Sequence, residues 1–108
     1  MTRQTAQTAL REFKESLVRV FGPETEVTLF GSTARGDYGS DSDIDVLVLL
    51  SVHPDTATEE RIFDLAYDVE LRHGVVFGII VYSREFWNSE LARIMPLHKN
   101  IDREGIGV

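Results

Sequence analysis

The stretch Phe30–Val46, FGSTARGDYGSDSDIDV, decides how this chain folds. It joins two apolar segments, Val27–Phe30 and Ile44–Leu50, whose aliphatic and β-branched side chains predict β-strands. The nearly continuous aliphatic run of the second segment is typical of a strand that is covered on both faces. The glycines, serines and aspartates between the two segments therefore form a polar loop at the point where one strand ends and the next begins.

The segments around these strands predict helices and one more strand. In Thr2–Phe21, apolar residues recur at alternating spacings of four and three, which gives one apolar helical face. A second long helix is predicted from a start within Pro54–Thr58, where Thr56 and Glu59 have capping-box spacing, to about His73, and Gly74 ends it. Val75–Tyr82 is rich in β-branched and aromatic residues and is the third predicted strand.

The last quarter of the chain completes the predicted fold. Ser83 is a candidate cap for a helix that Pro96 ends, and its apolar positions are Phe86, Trp87, Leu91 and Ile94. Leu97–Val108 is predicted as a short helical turn and a loose tail. The expected fold class is α/β (α+β), with a small mixed three-stranded sheet flanked by about four helices in a single domain over 1–108.

Composition excludes several classes of protein. The chain has 108 residues, no cysteine, and 11 basic against 18 acidic side chains, for a net charge of −7. No apolar run approaches the roughly 18–20 residues that span a bilayer, so no membrane association is expected. The lack of cysteine excludes disulfides, thiolate zinc sites and thiol catalysis, and fits a reducing, cytoplasmic compartment. The acidic balance disfavours broad nucleic-acid binding but allows a cation to lie between the protein and a phosphate.

Three familiar loop motifs are absent from the decisive stretch. A Walker phosphate loop requires lysine where Asp37 follows Gly36. The dinucleotide pattern G-x-G-x-x-G does not occur. An EF-hand beginning at Asp41 requires glycine at its sixth position and glutamate at its twelfth, where the chain has Val46 and Val52.

Two groups within the stretch point to phosphate and metal chemistry. Gly31 allows close approach of a phosphate to the backbone, and Ser32 offers a hydroxyl beside the amides of a short helix start. Asp43 and Asp45 are two residues apart at the start of a strand, so both carboxylates are expected on one face. Two carboxylates held this close repel unless a divalent cation lies between them, and oxygen ligands suit magnesium or manganese. Together these groups outline a nucleotidyl-transfer site.

The order G-S-x-A-R-G followed by S-D-x-D resembles the signature of the minimal nucleotidyltransferase (MNT) proteins of the DNA polymerase β superfamily. Ten residues separate Ser32 from Asp43, and eight positions match in order: Gly31, Ser32, Ala34, Arg35, Gly36, Ser42, Asp43 and Asp45. The resemblance implies a nucleotidyltransferase fold in which Gly31 and Ser32 hold the triphosphate of ATP. It also implies that Asp43 and Asp45 are catalytic and bind Mg²⁺ or Mn²⁺, while an acceptor hydroxyl attacks the α-phosphorus and pyrophosphate leaves.

Two residues of the stretch carry alternative interpretations. Arg35 either steadies nucleotide phosphate or is the structural partner of nearby carboxylates, namely Asp37, Asp41, Asp43 and Asp45. Tyr38 either stacks on a nucleotide base or covers a neighbouring helix.

The chain departs from the resemblance at one place. Active members of the superfamily generally use a third carboxylate on a later strand, but Val75–Tyr82 contains no acid, and its residues on one face are Val76, Gly78 and Ile80. The nearest substitutes are Asp68 and Glu70 near the end of the preceding helix, where the alternative is an ordinary solvated helix end. The sequence therefore supports nucleotide and metal binding better than turnover.

The sequence leaves three alternative functions open. The MNT resemblance implies the antitoxin of a two-component module that transfers AMP from ATP to a tyrosine of a HEPN toxin. The missing carboxylate favours a catalytically impaired antitoxin that neutralises its partner by binding alone, and a nucleotide-sensing domain is the third hypothesis. Either antitoxin function requires a partner protein, and a homo- or hetero-oligomer is expected because a small sheet leaves edges to cover.

Overall fold

The fold is built around one buried strand. The computed structural model describes residues 1–39 and 43–108, and within them the strands are β1 (Glu26–Phe30), β2 (Ile44–Leu50), β3 (Phe77–Ser83) and β4 (Ile106–Gly107). Their order is β3-β2-β1-β4, with β1 antiparallel to both β2 and β4 and with β3 parallel to β2. The mixed sheet confirms the predicted fold class, and β2 has the bounds that its aliphatic run predicted.

The prediction of three strands and a loose tail is wrong by one strand. Ile106 and Gly107 pair with β1, and the Val108 amide donates to the Val27 carbonyl at 2.9 Å. Gly105 permits the close approach, because a Cβ there would lie 2.8 Å from Cγ2 of Thr28. A strand of two residues is too short to show an alternating pattern in the sequence. Its position is set only by pairing with the edge of β1.

Two long helices match their predictions closely. The helices within the described ranges are α1 (Arg3–Phe21), α2 (Gly31–Ala34), α3 (Thr56–His73), α4 (Arg84–Trp87), α5 (Glu90–Arg93) and α6 (Pro96–Glu104). The Thr2 side chain caps α1, and Gly74 ends α3 in the left-handed conformation with φ of 64°. The cap of α3 is Asp55, whose carboxylate accepts the Thr58 amide at 2.8 Å, and not the predicted capping residue Thr56.

The predicted helix between Ser83 and Pro96 is two single turns instead. The Ser89 hydroxyl accepts the Ala92 amide and so begins α5 separately from α4. Leu91 and Ile94, two apolar positions of that predicted helix, are 64% and 68% exposed. Pro96 begins α6 rather than merely ending a helix, because its fixed φ suits the first helical turn.

The two faces of the sheet carry different layers. The helices α1 and α3 pack on one face, and their core includes Phe13, Leu17 and Ile62. The segment from α4 to α6 packs on the other face around Trp87 and Ile101. Within the described residues, no helix is long and apolar enough to cross a membrane.

Candidate functional site

The side chains of β2 alternate between the two faces of the sheet, and this places the Asp45 carboxylate on the face opposite the main core. Ile44 and Val46 are fully buried against α1 and α3. Asp45 lies between them in sequence and therefore points to the opposite face of the sheet, with Leu47. Asp45 is half-buried, whereas Asp43, directly before the strand, is exposed.

Two glycines make room for the Asp45 carboxylate. The sheet register sets Asp45 beside Phe30 of β1 and beside Gly78 of β3. A Cβ on Gly78 would lie 2.6 Å from Oδ1 of Asp45, and a Cβ on Gly31 would run into Oδ2 of the same side chain. Gly31 also has a φ of 76°, a conformation that side chains disfavour. The carboxylate thus occupies a cradle that exists because both neighbours lack a side chain.

The electrostatics of this cradle fit a divalent cation. Burial raises the pKa of Asp45, and the negative charge of Asp43 raises it further, while Arg35 acts in the opposite direction. Both causes that raise the pKa are relieved by a cation placed against the carboxylates. No group of three or more metal-binding side chains lies within the described ranges. Two carboxylates together with substrate phosphates are the ligand set in which magnesium usually binds, so the residues present fit that ion.

A buried threonine connects the turn after β1 to the start of β2. Thr33 lies in α2 and is almost fully buried. Its hydroxyl donates to the backbone carbonyl of Asp43 at 3.1 Å. This hydrogen bond fixes Asp43 relative to Gly31 and Ser32, which begin the same helical turn and are half-buried. The structure therefore brings together the predicted phosphate-binding turn and the predicted carboxylate pair.

Arg35 pairs with a residue that neither sequence interpretation included. Its Nη1 donates to both carboxylate oxygens of Glu104, at 2.9 and 3.2 Å. The Gly31 amide donates to Oε1 of the same carboxylate at 3.2 Å. Glu104 ends α6, so the C-terminal helix reaches directly into the predicted phosphate-binding turn.

The structure does not bring Asp68 and Glu70 to the Asp45 face. Both lie on α3, whose buried residues pack on the opposite face of the sheet. Asp68 is exposed, and Oε2 of Glu70 accepts the Phe77 amide at 2.8 Å. Glu70 thus stabilises the start of β3.

The remaining predicted residues have separate positions. Tyr38 packs against the α1 side of the core and lines a cavity of about 260 Å³ with Leu10 and Leu29. Asp37 accepts the Gly39 amide at 3.0 Å within its own loop. The predicted residues Asp41 and Ser42 lie outside the described residues.

Sequence reasoning missed Glu104 and the role of Gly78. Glu104 is 73 residues from Gly31, and the only sequence signal was the weakly specific ending R-E-G. In the sequence, Gly78 is only a position without an acid, because the register that sets it beside Asp45 depends on the folded sheet.

Comparison with known proteins agrees with this geometry. Residues 10–102 match the family model described as "Nucleotidyltransferase domain". The chain is 37% identical over 98 residues to "Putative protein adenylyltransferase MJ0604" of Methanocaldococcus jannaschii, which covers 90% of this chain and 91% of that protein.

Solved structures share the fold at low sequence identity. One, described as a "putative minimal nucleotidyltransferase", superposes with a TM-score of 0.68 at 24% identity and covers 100% of this chain and 97% of its own. A second is a tri-AMPylated HEPN toxin of Shewanella oneidensis in complex with MNT antitoxin. Its matched chain has a TM-score of 0.53 at 17% identity and covers 98% of this chain and 71% of its own. The family match and the curated relative carry the assignment: the chain belongs to the nucleotidyltransferase domain family and is related to a protein described as a "putative protein adenylyltransferase".

Proposed function

We propose that this protein binds ATP with a divalent cation and transfers AMP to a hydroxyl of a partner protein, a tyrosine of a HEPN-type toxin. One observation carries the proposal. The carboxylate of Asp45 lies in a two-glycine cradle next to Asp43 and to the phosphate-binding turn at Gly31. This juxtaposition provides oxygen ligands for a cation and backbone donors for phosphate on the same face of the sheet.

Each residue has a distinct role in the proposed transfer. Asp43 and Asp45 would hold Mg²⁺ or Mn²⁺, which supplies charge neutralisation to the phosphates and polarises the α-phosphorus. Gly31 and Ser32 would bind and orient the triphosphate, and the Arg35 guanidinium would add a charged donor. The acceptor oxygen then forms a bond to the α-phosphorus while the bond to the bridging oxygen of pyrophosphate breaks. The acceptor hydroxyl gives its proton to solvent or to a carboxylate of the site.

The descriptions of the two relatives support a protein as the acceptor of AMP. The curated relative is described as a "putative protein adenylyltransferase", and the structural relative from Shewanella oneidensis is a complex between an AMPylated HEPN toxin and an MNT antitoxin. The present chain shares the fold of the latter and the family of the former. A tyrosine hydroxyl of such a toxin is therefore the acceptor that we propose.

A second function is favoured by a specific observation. Gly78 lies beside Asp45 at a position on the site face where an acid would complete a carboxylate triad. Glu70 is hydrogen-bonded to the Phe77 amide and Asp68 lies on the far helix, so neither supplies that acid. A protein that binds ATP and its partner without transferring AMP would have this arrangement.

The test is AMP transfer to a co-purified HEPN-type partner. The protein is incubated with ATP and Mg²⁺ or Mn²⁺, and the mass of the intact partner is measured. The AMPylation proposal predicts a gain of one or more AMP units. Asp43→Ala with Asp45→Ala should reduce transfer by about 100-fold or more. The matched control is Asp64→Ala with Asp68→Ala, which removes two exposed carboxylates from α3 and should leave transfer unchanged.

The outcomes separate the two functions. Nucleotide binding by the wild type without any mass gain on the partner would support the binding-only function. Transfer that survives loss of both site aspartates would contradict the proposed site, and loss of transfer in the α3 control would place the chemistry on the other face.

A further inference from the structure

The C-terminal helix places an anion on the groups proposed to bind phosphate. Glu104 accepts hydrogen bonds from the Gly31 amide and from Arg35. Its side chain is only 18% exposed, whereas that of Arg35 is 60% exposed. The contact joins residues that are 69 to 73 positions apart in the chain. It is therefore a tertiary contact, and ordinary helix-end charge does not explain it.

This carboxylate makes the hydrogen bonds that a phosphate oxygen would make there. A carboxylate and a phosphate both present anionic oxygens to a guanidinium and to a backbone amide. The Gly31 amide has one hydrogen, so it cannot donate fully to Glu104 and to a triphosphate at the same time. Since the hydrogen bond from Arg35 lowers the pKa of Glu104, the carboxylate is ionised at neutral pH.

We propose that Glu104 is a resident anion that occupies the Gly31 amide and Arg35 in the nucleotide-free protein and is displaced when the triphosphate binds. The inference rests on the proposed nucleotide site and adds to it a competitor supplied by the chain itself. Glu104 then lowers the apparent affinity for nucleotide and keeps the turn ordered in the absence of nucleotide.

The local structure restricts how Glu104 leaves. Gly105 lies so close to β1 and α6 that a Cβ there would be 2.8 Å from Thr28 and 2.5 Å from the Ile101 carbonyl. The next residues, Ile106 and Gly107, are paired with β1. The backbone is thus held by α6 before Glu104 and by the pairing with β1 after it. Glu104 can therefore leave the Gly31 amide only by rotation of its side chain, while α6 stays in place.

The test is calorimetric titration of the full-length chain with Mg-ATP. Glu104→Gln removes the charge, and Glu104→Asp keeps the charge but shortens the side chain by one methylene, so that it no longer reaches both donors. Both variants should bind Mg-ATP about three- to tenfold more tightly than the wild type. Glu60→Gln, an exposed residue of α3 with the same change in net charge, is the matched control and should bind as the wild type does.

Other outcomes would overturn the inference, each for a different reason. Weaker binding by both Glu104 variants, with normal wild-type binding, would show that Glu104 positions the donors, and unchanged binding would show that it does not compete with the nucleotide. Tighter binding by Glu104→Gln but not by Glu104→Asp would assign the effect to charge alone. No binding by any of the proteins would contradict the proposed function itself, and the inference with it.

A second measurement tests the contact without nucleotide. The Gly31 amide resonance of the free protein should shift in both Glu104 variants and stay in place in Glu60→Gln. Thermal melting confirms that each variant is folded. An unmoved Gly31 resonance in folded Glu104→Gln would show that the contact is absent in solution and would overturn the inference.

Discussion

The two faces of β2 differ in what they do for the protein. On the α1 side, the residues alternating from Ile44 to Leu50 are fully buried and apolar. On the other side, Asp45 comes first and is followed by Leu47 and Leu49, which pack under Trp87. One strand thus supports folding with one face and presents the candidate site on the other. A carboxylate whose burial is unfavourable is tolerated because the opposite face supplies the stability.

The helices that cover the two faces of β2 also differ in length and in what stabilises them. The core face is closed by two helices of 19 and 18 residues, and the Phe13 and Phe77 rings lie 4.9 Å apart within it. The site face is closed by short helices that depend on caps and on a stack of Trp87 on His98, with ring centroids 4.2 Å apart. Substitutions on the two faces should therefore affect different measured quantities.

The largest expected effect is on the core face. Phe13→Ala removes a fully buried ring from the contact with Phe77 and should lower the free energy of unfolding by about 3–5 kcal/mol. The measurement is urea unfolding followed by circular dichroism. Phe63→Ala, at an α3 ring that is 49% exposed, is the control and should change the stability far less. Equal losses in the two variants would contradict the assignment of the core to the α1 side.

The next effect separates function from stability at the site face. In Gly78→Ala the new methyl would lie 2.6 Å from Oδ1 of Asp45, so the carboxylate must rotate out of its cradle. We expect nucleotide affinity or AMP transfer to fall by about tenfold, because a small displacement of a metal ligand has large effects. The melting temperature should change little, since the displaced group is the end of a flexible side chain.

Gly107→Ala is the control for this prediction. It makes the same chemical change in β4, where a Cβ would have no neighbour within 4 Å. If Gly107→Ala impaired binding as much as Gly78→Ala, the cradle would not explain the effect.

A smaller effect concerns the contact between the two long helices and depends on pH. The carboxylate of Glu12 in α1 lies 2.8 Å from Nε2 of His73 and 3.2 Å from Arg72, both at the end of α3. These partners, His73 first, lower the pKa of Glu12 in the folded protein. A lowered pKa means that the ionised carboxylate adds stability above its unfolded pKa and that this stability is lost as the pH falls through the folded pKa.

Glu12→Gln should therefore lower the melting temperature at pH 7 by about 2–4 °C. The difference from the wild type should shrink as the pH falls below the ordinary range of a glutamate and should vanish once Glu12 is protonated in both states. A difference that stays undiminished below the ordinary range of a glutamate would contradict the direction of the pKa change.

The smallest expected effect has the opposite sign. Burial and the charge of Asp43 raise the pKa of Asp45, so the ionised carboxylate destabilises the free protein at neutral pH. Asp45→Asn should raise the melting temperature by about 1–2 °C, since the group is partly exposed, and should at the same time reduce the proposed AMP transfer. Asp64→Asn on α3 is the control and should not raise it. A lower melting temperature for Asp45→Asn would mean that the carboxylate supports the fold.

The sequence was sufficient to predict the parts of the fold that have a local pattern. The aliphatic run of β2 gave its bounds, and the apolar periodicity of α1 and the glycine that ends α3 gave the long helices. The polar loop and its strand context also predicted that Gly31, Ser32, Asp43 and Asp45 belong together. In each case, neighbours in sequence carry the information.

The parts that sequence reasoning missed depend on distant contacts. Glu104 meets Gly31 only after α6 has packed on the sheet, and Gly78 meets Asp45 only through the parallel register of β2 and β3. The two-residue strand β4 is defined by the edge of β1 and has no pattern of its own. These features depend on how distant segments of the chain pack together, and no local sequence pattern marks them.

The most direct test of the central claim, that nucleotide and cation bind on the Asp45 face, is paramagnetic broadening of amide resonances by Mn²⁺ in the presence of ATP. We expect strong broadening at Gly31 and Gly78, little at Glu59 and Glu60 near the start of α3, and loss of the effect in Asp43→Asn with Asp45→Asn. Broadening centred on α3, or broadening at Gly31 and Gly78 that persists in the double variant, would contradict it.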